Sequence, residues 1–135
     1  MMQLAREVGV ARNTAQARLD RLLDGGVITG FGPEIDLRRL GYGVSAFVTI
    51  EIAQGRGPDV DGGLAAIPEV VEAYMTTGSA DLLCRVVARD NADLQRVIDA
   101  VVEVPGVIRT STVIALATAV SYRTMPLVRA TGAAN

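Results

Sequence analysis

The chain has 135 residues, half of them apolar, with 13 basic and 15 acidic side chains and a formal net charge of −2. Such a chain can pack a core as one domain or two small ones and is too apolar for a disordered one. It has no histidine and a single cysteine, Cys84, which rules out an internal disulfide, most metal sites and the Ser-His and Cys-His nucleophile systems. No uninterrupted apolar run approaches the roughly 18 residues of a membrane span. Met1-Met2-Gln3 runs into a charged amphipathic segment rather than a secretory signal. These features lead us to expect a soluble cytoplasmic protein, without cofactor or metal, that is not an enzyme.

Every basic residue is arginine, and the arginines are unevenly placed. Residues 1–22 hold four arginines against two acids and carry +2, whereas residues 40–135 hold seven against ten and carry −3. The overall acidity does not advertise a nucleic-acid binder, so any such role rests on the first quarter of the chain.

Residues 2–8 read as a short helix with Leu4, Ala5 and Val8 on one side, broken at Gly9-Val10. A second helix is expected from Arg12 to Leu23, because Ala15, Leu19, Leu22 and Leu23 recur with the period of a buried stripe. Asp24-Gly25-Gly26 supplies the glycine chemistry that ends a helix. Val27 to Phe31 reads as a short strand closed by Gly32-Pro33. Helix, glycine turn, helix and strand make a helix-turn-helix with a wing, or else a pair of helices that merely pack. The polar side of the second helix carries Arg12, Asn13, Gln16 and Asp20, with Arg21 at its flank. Arginine can pair with guanine and an amide side chain with adenine, so this face suits a major groove. It equally suits a solvated helix surface.

Residues 34–42 read as a linker, and residues 43–120 as a second domain. Val44 to Ile52 is a β-branched strand, Asp61 to Ile67 a weak glycine-bearing helix, and Val70 to Thr77 a strand. Gly78-Ser79-Ala80-Asp81 turns the chain into a strand at Leu82–Ala88, forming a hairpin. Asp90 or Asn91 caps a helix from Ala92 to Val102, and Val107–Leu116 is the last strand. Ile67-Pro68-Glu69-Val70-Val71 recurs 37 positions later as Val104-Pro105-Gly106-Val107-Ile108, a proline-stopped helix leading into a strand each time. Two β-α-β halves joined by a hairpin make a ferredoxin-like α+β sandwich. Val44, Phe47, Val70, Leu83, Val86 and Ile114 cannot all face one way in strands of period two. One sheet face is therefore left apolar and is expected to be covered by a second copy of the chain. The tail, residues 121–135, is expected to be loosely ordered.

This arrangement resembles the Lrp/AsnC family of transcription regulators, the leucine-responsive or feast/famine proteins, over residues 2–120. The likeness is carried by Leu4-Ala5-Arg6-Glu7-Val8-Gly9-Val10, by Thr14 with Arg18-Leu19-Asp20-Arg21-Leu22, and by Gly26-Val27-Ile28-Thr29-Gly30-Phe31. It continues in Leu40-Gly41, Pro68-Glu69-Val70, Gly78-Ser79-Ala80-Asp81-Leu82-Leu83, and Pro105-Gly106-Val107 with Thr110-Ser111-Thr112. No one of these is specific; their order and spacing are.

The resemblance implies an amino-acid-responsive regulator of metabolic genes. It joins a DNA-binding helix-turn-helix, residues 1–33, to an effector-binding domain that dimerises and assembles to an octamer. It implies that Arg12, Asn13 and Gln16 face bases of double-stranded DNA. Thr14, Arg18 and Arg21 would meet phosphates, Arg18 serving equally well as a structural residue. It also implies that a free amino acid binds at the Gly78–Asp81 turn between subunits, with Gly78, Asp81 and Thr112 as the main contacts and Ser79, Ala80 and Thr110 beside them. The ligand chemistry agrees, since a carboxylate suits the backbone N–H groups of a glycine turn and an ammonium suits an acid and hydroxyls. The bland alternative is a plain hairpin turn with Asp81 capping local N–H groups.

The chain also departs from the family pattern. The family carries one more helix ahead of Met2, so Met1 reads as a misplaced start, a truncation or a loss of DNA binding, and Leu4, Val8, Ala15 and Leu19 are expected to be partly uncovered. Ala11 stands where a serine cap is usual. A DNA-independent amino-acid-binding oligomer acting on a partner protein is the second reading. An enzyme would have only Cys84 in mid-strand and an unpaired Asp81 to work with.

Overall fold

The computed structural model describes residues 2–134, with side chains for all of these except Met2, Leu4, Val8, Ala133 and Ala134. The chain forms two compact units, residues 1–35 and 36–135.

In the first unit α1 spans Met2–Val8 and α2 spans Arg12–Asp24. The two pack through Ala5 and Ala15, both buried, whose small side chains let the helices approach closely. Leu19 is half-buried, while the Leu4 and Val8 side chains expected beside Ala5 lie outside the described residues. The N–H of Gly25 donates to the carbonyl of Arg21 at 2.9 Å, and Gly26 takes a left-handed φ of +76° that turns the chain away.

The expected wing strand at Val27–Phe31 is not present: residues 29–36 have no regular structure. The reason is local. The N–H groups of Val27 and Ile28 both donate to the carbonyl of Leu22, at 2.9 and 3.0 Å, and so terminate α2 instead of entering a ladder. In the expected linker, residues 37–41 close a tight turn. The Asp36 carboxylate accepts from the N–H groups of Arg38 and Arg39, and the N–H of Tyr42 donates to the carbonyl of Leu37 at 2.9 Å.

The second unit contains β1 (Val44–Ile52), α3 (Gly57–Ala65), β2 (Val70–Met75), β3 (Leu82–Ala88), α4 (Asn91–Val102), β4 (Val107–Ala115) and α5 (Met125–Ala134). The strands form one antiparallel sheet in the order β2-β3-β1-β4. Up to β4 this is the β-α-β-β-α-β order read from the sequence. The helix α3 starts four residues ahead of the expected Asp61, because Pro58 fits a first helical turn and Arg56 pairs with Asp59 at 2.8 Å. The N-cap of α4 is Asp90, whose carboxylate accepts the N–H of Asp93 at 2.7 Å. The tail corrects the expectation of loose order: residues 125–134 form α5, with Pro126 in its first turn and the carbonyl of Thr124 accepting the N–H of Val128 at 3.0 Å.

Register decides what the sheet covers. Ala46, Val48 and Ile50 of β1 stand opposite Val86, Cys84 and Leu82 of β3, and all six are buried against Val60 and Leu64 of α3 and Leu94, Val97 and Val101 of α4. The alternate residues Phe47, Leu83, Tyr74 and Val113 point to the other face, which among the described residues no helix covers.

Candidate functional site

The six DNA-contact candidates, Arg12, Asn13, Thr14, Gln16, Arg18 and Arg21, are all exposed on α2. At about 100° per residue, Arg12 and Gln16 share one flank, Asn13 sits near the middle, and Thr14, Arg18 and Arg21 occupy the other flank. Gln16 donates its amide to Asp20 at 2.8 Å, which aligns it along the helix surface. Ala11 makes no side-chain cap. Among the described residues Arg12, Arg18 and Arg21 form no ion pair, so their guanidinium groups are open to an outside anion.

The second candidate site is the turn between β2 and β3. Gly78 has φ +102°, a backbone conformation that a side chain would strain, so glycine is what lets the turn close. The turn is tied to β1 through Asp81. Its N–H donates to the carbonyl of Ile50 at 2.9 Å, and its carboxylate Oδ2 accepts the N–H of Ile52 at 2.8 Å. That N–H lies beyond the last β1–β3 pair, Ile50 opposite Leu82, and so is open to the carboxylate. Asp81 is therefore an anchor that holds the turn against the central strand. Thr76 adds an N–H to the Asp81 carbonyl at 3.0 Å and a hydroxyl to the Ala80 carbonyl at 3.3 Å. Among the described residues the N–H groups of Ser79 and Ala80 donate to no backbone carbonyl.

Beside this turn lies an open depression of about 260 Å³ lined by Thr49, Glu51, Ser79, Ala80, Arg109, Thr110 and Ser111. Of the six effector candidates it gathers Ser79, Ala80 and Thr110. Gly78 and Asp81 shape the turn without lining it, and Thr112 is not brought in. The register places Thr112 opposite Val48, two positions further from the turn than Thr110, which stands opposite Ile50. Four lining residues were missed in the sequence: Thr49 and Glu51 of β1, and Arg109 and Ser111 of β4. Their signal was the strand alternation itself, polar residues interleaved with the buried Val48 and Ile50. Thr49 stands opposite Ser111 and donates its hydroxyl to that carbonyl at 3.3 Å, and Glu51 stands opposite Arg109, Oε2 to Nη1 3.3 Å. Hydroxyls, two opposite charges and unengaged amides make a lining suited to a small polar molecule.

Elsewhere on the sheet Cys84 is fully buried, and burial pushes its thiol up to about 11. A reactive thiolate needs the opposite environment, so Cys84 packs as a core residue. A 350 Å³ groove between α3 and β2, lined by residues such as Leu64, Ala73 and Met75, carries acids but no basic residue.

A four-stranded antiparallel sheet with two helices on one face and a polar depression at the end of the other defines an α+β domain. Residues 45–125 match the Lrp/AsnC ligand binding domain, so the chain belongs to the Lrp/AsnC family. It is 32% identical over 127 residues to the HTH-type transcriptional regulator FL11 of Pyrococcus horikoshii, spanning 94% of this chain and 84% of the relative. Its fold is similar to that of Escherichia coli AsnC, with a TM-score of 0.81, 29% identity, and coverage of 90% of this chain and 83% of that one. It is similar also to a feast or famine regulatory protein of M. tuberculosis complexed with L-methionine, with a TM-score of 0.78, 29% identity, and coverage of 90% and 82%.

Proposed function

We propose that the protein is an amino-acid-responsive, DNA-binding transcription regulator, and membership of the Lrp/AsnC family through residues 45–125 is the observation that carries this reading. The relatives above are transcription regulators, and one of them is seen with an amino acid bound. On this reading α2 enters the major groove. Arg12, Asn13 and Gln16 read base edges from one side of the helix, while Thr14, Arg18 and Arg21 reach phosphates from the other. The amino acid occupies the depression at the 78–81 turn. The free N–H groups of Ser79 and Ala80 suit its carboxylate, and the hydroxyls of Thr49 and Ser79 its polar atoms. The uncovered sheet face is where a second copy docks, and such dimers can gather into larger rings.

Fluorescence anisotropy on duplex DNA from upstream of the protein's own gene tests this. The expected result is binding that weakens steeply as salt rises, because phosphate contacts release counterions, and an affinity that shifts when an amino acid is added. Amino-acid binding without any DNA binding would replace this reading with a DNA-independent oligomer that acts on a partner protein. Neither activity would overturn it.

A further inference from the structure

We infer that the Glu51–Arg109 pair is the element of this depression that recognises both charged groups of a free amino acid, Arg109 taking the carboxylate and Glu51 the ammonium. The inference rests on the effector reading above and adds residues to it. Glu51 and Arg109 are cross-strand partners on the uncovered face, at the end of the sheet where the 78–81 turn lies, and both line the same depression as Ser79 and Ala80. A free amino acid carries its carboxylate and its ammonium on one carbon, only a few ångströms apart. A guanidinium and a carboxylate 3.3 Å apart present the complementary pattern at the matching separation.

The pair is also built to open. Its side chains are 75% and 36% exposed, and it rests on one 3.3 Å contact rather than a two-pronged fork. An exposed pair of this kind holds itself only weakly, so exchanging it for two new ionic contacts costs little. The guanidinium fork can then meet both oxygens of a ligand carboxylate. The other close ion pairs of this unit are spent differently. Arg56 holds Asp59 at 2.8 Å at the start of α3, and Arg96 holds Asp93 and Glu69 at 2.8 and 2.9 Å beside α4, away from the depression. Two fixed charges of opposite sign also select. A simple carboxylic acid would leave Glu51 facing an anion, and a simple amine would leave Arg109 facing a cation. Thr49 and Ser111, joined by the Thr49 hydroxyl donating to the Ser111 carbonyl, are the next cross-strand pair on the same face and line the depression beside the two charges.

Isothermal titration calorimetry on the full chain tests the assignment, with the twenty amino acids as probes, one at a time. The tightest binder is then compared with its carboxamide and with its des-amino acid. For the unaltered protein each neutralised probe should bind about 10- to 100-fold more weakly than the amino acid. Arg109→Gln should weaken the amino acid by a similar factor and sharply reduce discrimination against the carboxamide, the Ser79 and Ala80 N–H groups keeping the rest, while Arg109→Lys restores part of it. Glu51→Gln should abolish discrimination against the des-amino acid in the same way. A merely structural role would not move these ratios. If the variants melt normally and still discriminate like the unaltered protein, the assignment is overturned while the effector reading stands. If the unaltered protein binds none of the twenty, the effector reading fails and the assignment falls with it.

Discussion

At the scale of single residues, burial and hydrogen bonding separate groups that look alike in the sequence. Asp81 was legible as an acid at a glycine turn, but its principal partner, the N–H of Ile52, lies 29 residues away on β1, just past the last β1–β3 pair, a placement that no local pattern announces. Cys84 was legible as a core residue from its place in mid-strand, and its burial has a consequence for pH. Its thiol is held neutral in the fold and pushed up to about 11, whereas an unfolded thiol loses its proton at an ordinary pKa near 9. A raised folded-state pKa gives stability that is complete below the unfolded value and is lost as pH rises through the folded one. We therefore expect urea stability to fall between about pH 9 and 11 more steeply for the native sequence than for Cys84→Ala, the difference isolating the thiol from the tyrosines. An equal slope in both proteins would refute this. Asp93 shifts the other way. The backbone N–H of Arg89 and then the Arg96 side chain hold its carboxyl below the usual range, so any contribution it makes is present above that range and lost in acid.

At the scale of elements, helix ends decide what could be read. The helix α4 was legible because Asp90 caps it and its apolar residues keep one period, and both features survive in the structure. The start of α3 was not, because Gly57, Gly62 and Gly63 dilute its periodicity and the informative residue is Pro58. The wing failed for a reason of competition: Val27 and Ile28 have strand propensity, but two hydrogen bonds to Leu22 were nearer at hand than any partner strand. The helices α4 and α2 also make a controlled comparison, since α4 has a side-chain cap and α2, which begins after Ala11, has none. Ala11 is already extended, with φ −63° and ψ 150°, the backbone that a capping residue adopts. Ala11→Ser should therefore add a hydrogen bond to a first-turn N–H without rearranging the chain. The expected gain is about 0.5–2 kcal/mol in the stability of the first unit, read from hydrogen exchange of the α2 amides. Unchanged exchange would show that the serine does not cap.

At the scale of the whole molecule, alternation in the strands partitions the second unit into a covered face and an uncovered one, and this was the most legible feature of all. Of the six apolar positions that could not share a side, Val44, Val70, Val86 and Ile114 lie in register with the covered face, and Phe47 and Leu83 with the other. What the alternation alone left open was the order β2-β3-β1-β4, and with it the neighbours of Phe47. Phe47 lies on a central strand with Val113 directly opposite on β4; they remain 36% and 63% exposed, and Tyr74 on the edge strand 57%. Phe47 and Val113 are apolar neighbours on adjacent strands, and Leu83 of β3 stands opposite Tyr74 and diagonal to Phe47. Apolar side chains so placed on one exposed face favour self-association around a twofold axis. Because Phe47 points away from the helix-packed core, replacing it with a charge should separate two roles. If the proposed dimer forms through this face, light scattering at micromolar concentration should find the native sequence dimeric and Phe47→Glu monomeric, while circular dichroism and the melting cooperativity of the unit are kept. A glutamate variant that stays dimeric would place the contact elsewhere on the chain. One that unfolds outright would mean that Phe47 contributes to the core after all, contrary to its register opposite Arg85 and Val113.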